Sequence, residues 1–231
     1  MLDLKFLLIT AENRAEHSGV LDEMHRLRHQ VFVETLKWPN LTSCEGREYD
    51  AYDTPKARYI VVLEKDKVVA SVRLNSFADP TLLTDIFPHL VQFSAIPTDA
   101  KAVDLTRFVV SPKVGDESRM ERYGAEIIAA ILEYGAAERL REFTAVISTH
   151  FLTTVLSWGI EATAIGFPVG EGRESHVAVR VPVSEAQVSK IYQHTRGFRP
   201  RLMEPSFVRW HRETFGPLSK VMEGPVLQAA D

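Results

Sequence analysis

The sequence predicts an α/β fold, a three-layer αβα sandwich built on a mixed central sheet. Three observations carry this expectation. Short runs rich in β-branched and aromatic residues alternate with stretches whose apolar residues recur at helical spacing. Two of the β-rich runs meet directly around a polar turn, which places antiparallel strands in a sheet that also has helical crossovers. With 231 residues, 45% of them hydrophobic, the chain can bury one substantial core.

Taken in order, LKFLLIT (4–10) reads as a first strand. From Glu16 to Leu36 the apolar positions Val20, Met24, Leu27, Val31 and Phe32 recur as on one face of a helix. Trp38-Pro39-Asn40 closes that helix, since the residue before a proline is pushed out of the α region. Residues 39–55 read as an ordered loop. RYIVVLEKDKVVASVRL (58–74) is a hairpin around Lys65-Asp66-Lys67, TLLTDIF (81–87) a short helix, and AVDLTRFVVS (102–111) a strand. A strong helix follows from Ser118 to Leu140, with Ile127, Ile131 and Tyr134 on one face. FTAVIST (143–149), EATAIGF (161–167) and SHVAVRVPV (175–183) read as strands; FLTTVLSW (151–158) and the Ser-capped SEAQVSKIYQHT (184–195) read as helices. Residues 1–195 are expected to form the domain. Residues 196–231, with arginines, aromatics and four prolines, are expected to form a tail that packs on it or extends from it.

Composition excludes several functions. A net charge of −4 argues against nucleic-acid binding and against adhesion to anionic membranes. The single cysteine, Cys44, cannot form an internal disulfide and fits a reducing compartment. The N-terminal run MLDLKFLLIT lacks a basic region and carries Asp3, so a cytoplasmic protein is expected. The eight histidines show no ligand spacing, so no metal site is expected. There is no GxGxxG, Walker A sequence, HExxH or GxSxG elbow.

What remains is charge in apolar surroundings. Arg73 ends VVASVRL, and Asp104 and Arg107 sit inside AVDLTRFVVSP. Each needs a partner or a solvent-filled cleft, because burying a lone charge costs several kcal/mol. Arg28, Arg73 and Arg107 are matched in number by Asp50, Asp53 and Asp104. Such a cluster fastens a helix and loop to a sheet, or it lines a pocket for a zwitterionic small molecule. Residue chemistry alone leaves both readings open.

The series Arg-x₃-Phe-x₅-Trp (28, 32, 38), Asp-x₂-Asp (50, 53), Arg-Leu (73, 74) and Asp-x₂-Arg-Phe (104, 107, 108) resembles the LuxI-type acyl-homoserine-lactone synthases of quorum sensing. The resemblance runs from Arg28 to about Val110 and implies a GNAT-like fold. It implies an acyltransferase whose substrates are S-adenosylmethionine and an acyl thioester on acyl carrier protein or coenzyme A, with no further cofactor. The amine attacks the thioester, the substrate's own carboxylate then closes the lactone, and methylthioadenosine leaves. By the same resemblance Asp104, Arg107 and Asp50 are the expected catalytic set, with Asp104 taking the amine proton. Arg28, Phe32, Trp38, Asp53, Arg73, Phe108 and Ser148 or Thr149 are expected to bind substrate, the last pair through an acyl 3-oxo group.

Two departures stand out. The family has glutamate where this chain has Asp104, one methylene shorter. The glycine turn R/Q-x-x-G-x-G/A, by which GNAT acetyltransferases bind pyrophosphate, corresponds to RMERYGAE, with Arg122 at its first glycine. The alternatives are an N-acyltransferase of this fold that never closes a lactone, and a binding module that kept only the scaffold.

Overall fold

The computed structural model describes residues 3–38 and 41–216. The N-terminal half comprises β1 (Leu4–Ile9), α1 (Ser18–Arg28), β2 (Thr42–Cys44), β3 (Arg47–Tyr49), β4 (Arg58–Glu64), β5 (Lys67–Ser76), α2 (Leu82–Asp85) and β6 (Ala102–Val110). The remainder comprises α3 (Glu117–Ala137), β7 (Glu142–Ser148), α4 (Thr149–Ser157), β8 (Thr163–Ala164), β9 (His176–Pro182), α5 (Glu185–Thr195) and α6 (Pro205–Phe215).

Seven strands form one sheet in the order β1-β4-β5-β6-β7-β9-β8. Among the described residues only β6 and β7 run parallel, with α3 as the crossover between them. The β4–β5 turn uses Lys65 and Asp66, both at positive φ, which matches the twist of a two-residue hairpin.

Alternation along the strands sorts the core into two layers. Ile60, Val62, Val72 and Leu74 pack with Ile127, Ile131 and Tyr134 of α3 and with Ile191 of α5. Tyr59, Val61 and Leu63 pack on the other side with Met24 and Leu27 of α1 and with Phe32. Each such buried side chain contributes about 1.5–3 kcal/mol. The expected mixed-sheet sandwich is therefore present.

Two irregularities shape the sheet. Ser71 pairs with Val109 and Arg73 with Thr106, so two steps on β5 span three on β6. The extra residue is Arg107, at φ 54°. This bulge leaves Arg107 and Thr106 on the same face of the sheet. Second, β6 and β7 pair only over Ala102–Leu105 and Glu142–Ala145, although β6 continues to Val110 and β7 to Ser148. Beyond those pairs the ladder between them ends.

Three expectations change in detail. The loop at 39–55 contains the β2–β3 hairpin, turned by Glu45 and Gly46 at positive φ; Pro39 and Asn40 lie outside the described residues. The first helix is not continuous to Leu36, because His29–Thr35 is a wider π-helical turn. The strand expected at 161–167 shrinks to Thr163–Ala164, since the Ile165 carbonyl turns to the N–H groups of Gln92 and Phe93.

Residues 196–216 lie against the domain. Arg201 is buried and donates to Glu126 at 3.0 Å, and its backbone N–H donates to the buried Glu133 carboxylate. Phe207 and His211 of α6 are buried, and the helix contacts α3. Residues 217–231 of the expected tail lie outside the described residues.

Candidate active site

The site begins where α1 gives way to the π-helical turn. The Leu36 N–H reaches the Val31 carbonyl and the Trp38 N–H reaches the Phe32 carbonyl, at 2.8 and 2.9 Å. The widened turn brings Trp38 back over Phe32: the rings stack at 4.7 Å with 12° between planes. Phe32 is buried, whereas Trp38 is 41% exposed and offers its outer face to solvent. The Arg107 guanidinium lies 5.9 Å from the Phe32 ring centre. Trp38, Phe32 and Arg107 thus form one continuous wall.

Behind that wall three cations and three anions interlock. Arg28 donates from Nε to Glu48 Oε2 at 2.6 Å and grips both oxygens of Asp53 at 2.7 and 2.8 Å. Arg73 forms a two-pronged pair with Asp50, reaches Asp53 at 3.0 Å and donates from Nε to Thr106. Arg107 reaches Glu48 Oε1 at 2.8 Å and Asp50 Oδ2 at 2.7 Å. The charges cancel within the cluster, which is what makes its burial tolerable. Burial pushes the Asp53 carboxyl up, but Arg28 and Arg73 outweigh this and hold it well below the usual carboxylate range. Burial likewise opposes charge on Arg28, yet Asp53 and Glu48 hold its guanidinium above the ordinary value.

Asp104 is not part of this network, contrary to the expected balance of three arginines and three aspartates. Its place is taken by Glu48, fully buried on β3. Asp104 lies on the same face of the sheet but accepts from the Thr144 hydroxyl at 2.9 Å and from the Leu83 N–H at 3.2 Å. The backbone of α2, begun by a Thr81 capping box, thus meets the carboxylate at its positive end. Burial raises the Asp104 carboxyl to about 6, against the opposing pull of Thr144, the Leu83 N–H and Thr81.

The other expected residues divide. The Arg107 bulge turns Phe108 to the opposite face, where it packs with Phe151 at 5.1 Å and joins the α3 layer, so it is no part of the aromatic wall. Ser148 and Thr149 fall at the β7–α4 junction, both half-buried, and Ser148 Oγ accepts from the Phe151 N–H as a helix cap. The stretch 119–124 is not a glycine turn but the opening turns of α3, started by the Asp116 side chain on the Arg119 N–H. Arg119 itself pairs with Glu64.

Sequence reasoning missed Glu48, Tyr59 and Thr144. Tyr59 donates to Asp53 at 2.8 Å. A signal for Glu48 existed: Glu45-Gly46 between short polar-β runs is a hairpin turn, which sets Glu48 inward by alternation.

A family model described as autoinducer synthase matches residues 12–191, which include every member of this cluster. The chain belongs to the autoinducer synthase family. This autoinducer synthase is 31% identical to the isovaleryl-homoserine lactone synthase of Bradyrhizobium diazoefficiens over 163 residues, covering 69% of this chain and 71% of that one. It shares its fold with a CoA-dependent acyl-homoserine lactone synthase, BjaI, solved with SAM and isopentyl-CoA. That likeness has a TM-score of 0.78 at 24% identity and covers 91% of this chain and 99% of that one. The AHL synthase LasI superposes with a TM-score of 0.74 at 22% identity, over 84% and 96% of the two chains. The GNAT-like sandwich expected from the resemblance is the architecture of this autoinducer synthase.

Proposed function

We propose that this synthase transfers an acyl group from a thioester to the α-amine of S-adenosylmethionine, after which lactone closure releases methylthioadenosine. The observation that carries the reading is convergence. The Phe32–Trp38 stack, Arg107 and the neutral ion cluster meet on one sheet face, beside the point where β6 and β7 cease to pair. Unpaired strand edges at that opening offer backbone N–H groups to the thioester oxygen as negative charge develops. Leu105, Phe108 and Phe151 on the far side give an apolar path for the acyl chain, with Ser148 and Thr149 near its end.

The geometry supports the following roles. Trp38 and Phe32 face the adenosyl and sulfonium groups, Arg28, Asp53 and Arg73 keep the wall and loop in register, and Arg107 and Asp50 meet the amino-acid end. Asp104, with its raised pKa, takes the amine proton through water. Closure then needs only that the carboxylate be held in line with the γ-carbon. The acyl donor rides on coenzyme A or acyl carrier protein; the likeness to CoA-dependent BjaI, solved with isopentyl-CoA, supports coenzyme A. The reaction needs no cofactor beyond its two substrates and takes place in the cytoplasm. No helix among the described residues is long and apolar enough to cross a membrane.

Incubating the protein with S-adenosylmethionine and acyl thioesters on both carriers, with mass spectrometry of the products, tests this. Methylthioadenosine and lactone appearing only when thioester is present is the expected result. Acylation of another amine without methylthioadenosine would instead identify an N-acyltransferase. Trp38→Ala is expected to raise the KM for S-adenosylmethionine roughly 2- to 30-fold, the worth of a cation over a ring, with little change in kcat. An unaltered KM would remove Trp38 from the pocket.

A further inference from the structure

On the site face of β5, Arg73 is flanked two residues away on each side by Ser71 and Asn75. Both neighbours keep a buried oxygen with no hydrogen-bond partner among the described residues, Ser71 Oγ and Asn75 Oδ1. The register separates them. Ser71 lies level with Val109, past the bulge. Asn75 lies level with Asp104, one residue before the β6–β7 ladder ends at Leu105. Neighbouring strands are about 4.8 Å apart and successive residues about 3.4 Å, so the Asn75 backbone stands about 8 Å from the opening, a gap its side chain and a substrate amine can span.

Asn75 is 8% exposed, and its Nδ2 donates to the Tyr52 carbonyl at 3.1 Å, which orients the amide and leaves Oδ1 as the free end. A buried acceptor without a donor is destabilising and rare. The carboxylate oxygens around it each already accept at least one hydrogen bond. Both Asp50 oxygens serve Arg73, and both Asp104 oxygens serve Thr144 and α2. A substrate nitrogen arriving beside Asp104 therefore meets, in Asn75 Oδ1, a buried acceptor on β5 that nothing among the described residues engages.

We propose that Asn75 Oδ1 is the positioning acceptor for the substrate amine, taking one N–H and leaving the nitrogen lone pair toward the thioester at the strand opening. The inference rests on the S-adenosylmethionine reading above. An amide oxygen suits the task because it is uncharged. A carboxylate in direct contact would raise the amine pKa and deplete the neutral form that attacks.

Calorimetric titration of the full chain with S-adenosylmethionine and, separately, methylthioadenosine tests the assignment, since the second ligand has no amino-acid end. Asn75→Leu is expected to weaken S-adenosylmethionine binding at least tenfold and to leave methylthioadenosine binding within twofold, which also shows that the variant is folded. Unchanged S-adenosylmethionine affinity overturns the proposal. If Asn75→Leu weakens both ligands alike, Asn75→Asp decides. A pH profile of kcat/KM displaced upward upholds the role, and an undisplaced one overturns it. Wild-type protein that binds neither ligand removes the substrate reading itself, and this inference with it.

Discussion

Glu48→Gln is expected to lower the free energy of unfolding by about 3–5 kcal/mol, the cost of breaking a buried ion pair from one side. Glu48 is fully buried, and its two oxygens serve different arginines, Arg28 and Arg107. Glutamine keeps the shape but removes one negative charge and turns an NH₂ group toward a guanidinium. A cluster of three cations against three anions becomes three against two, and the excess charge is buried. For a chain of this size the melting temperature should fall by roughly 6–20 °C. S-adenosylmethionine saturation should weaken as well, because Arg107 loses one of the two carboxylates that hold it beside Phe32. Denaturant unfolding checks the first part, and a loss under about 1 kcal/mol would show that Glu48 does not organise the site.

The same cluster sets a pH dependence. The folded-state pKa of Asp53 is lowered, so its contribution is complete at neutral pH and is lost as pH falls below the usual carboxylate range. Asn at position 53 should flatten that acid limb of the stability curve.

Asp104→Asn is expected to lower kcat/KM by about 10²- to 10⁴-fold, the usual worth of a positioned base. The variant should still bind methylthioadenosine. Asn can continue to accept from the Leu83 N–H, and the Thr144 hydroxyl can rotate to meet an NH₂ group, so the α2 anchor survives. In the wild type, activity should rise with pH through about 6 as Asp104 ionises, and that limb should vanish in the variant. Stability runs the other way. A carboxyl whose folded pKa is raised favours the fold at low pH, and this advantage is lost as pH rises through about 6. Removing the charge should therefore cost little stability at pH 8. A variant that keeps wild-type turnover there would reduce Asp104 to an anchor for α2.

Much of this was legible in the chain. The hairpin at 58–74, the long amphipathic helix and the Ser-capped helix at 184–195 are local matters, written in periodicity, caps and turn residues. Arg28, Asp50, Asp53, Arg73 and Arg107 were legible as charges too costly to bury singly, Phe32 and Trp38 through the spacing shared with the family, and the structure brings them together. Their pairing was not. Asp104 offered the same charge as Glu48 and lay closer in sequence to Arg107, but it points into the N-terminus of α2. Nothing in composition distinguishes a carboxylate that meets a guanidinium from one that meets a helix end.

The sequence by itself determined the order of the main sheet's strands and its long helices, the mixed sheet and most residue types of the site, because propensity and alternation act over a few neighbours. Only the tertiary structure decided that Glu48 closes the ion cluster, that a bulge turns Arg107 inward and Phe108 outward, and that Asn75 Oδ1 has no partner among the described residues beside Asp104. The reason is that register and charge pairing are set by segments far apart in the chain. One extra residue on a single strand reverses which face every later side chain presents.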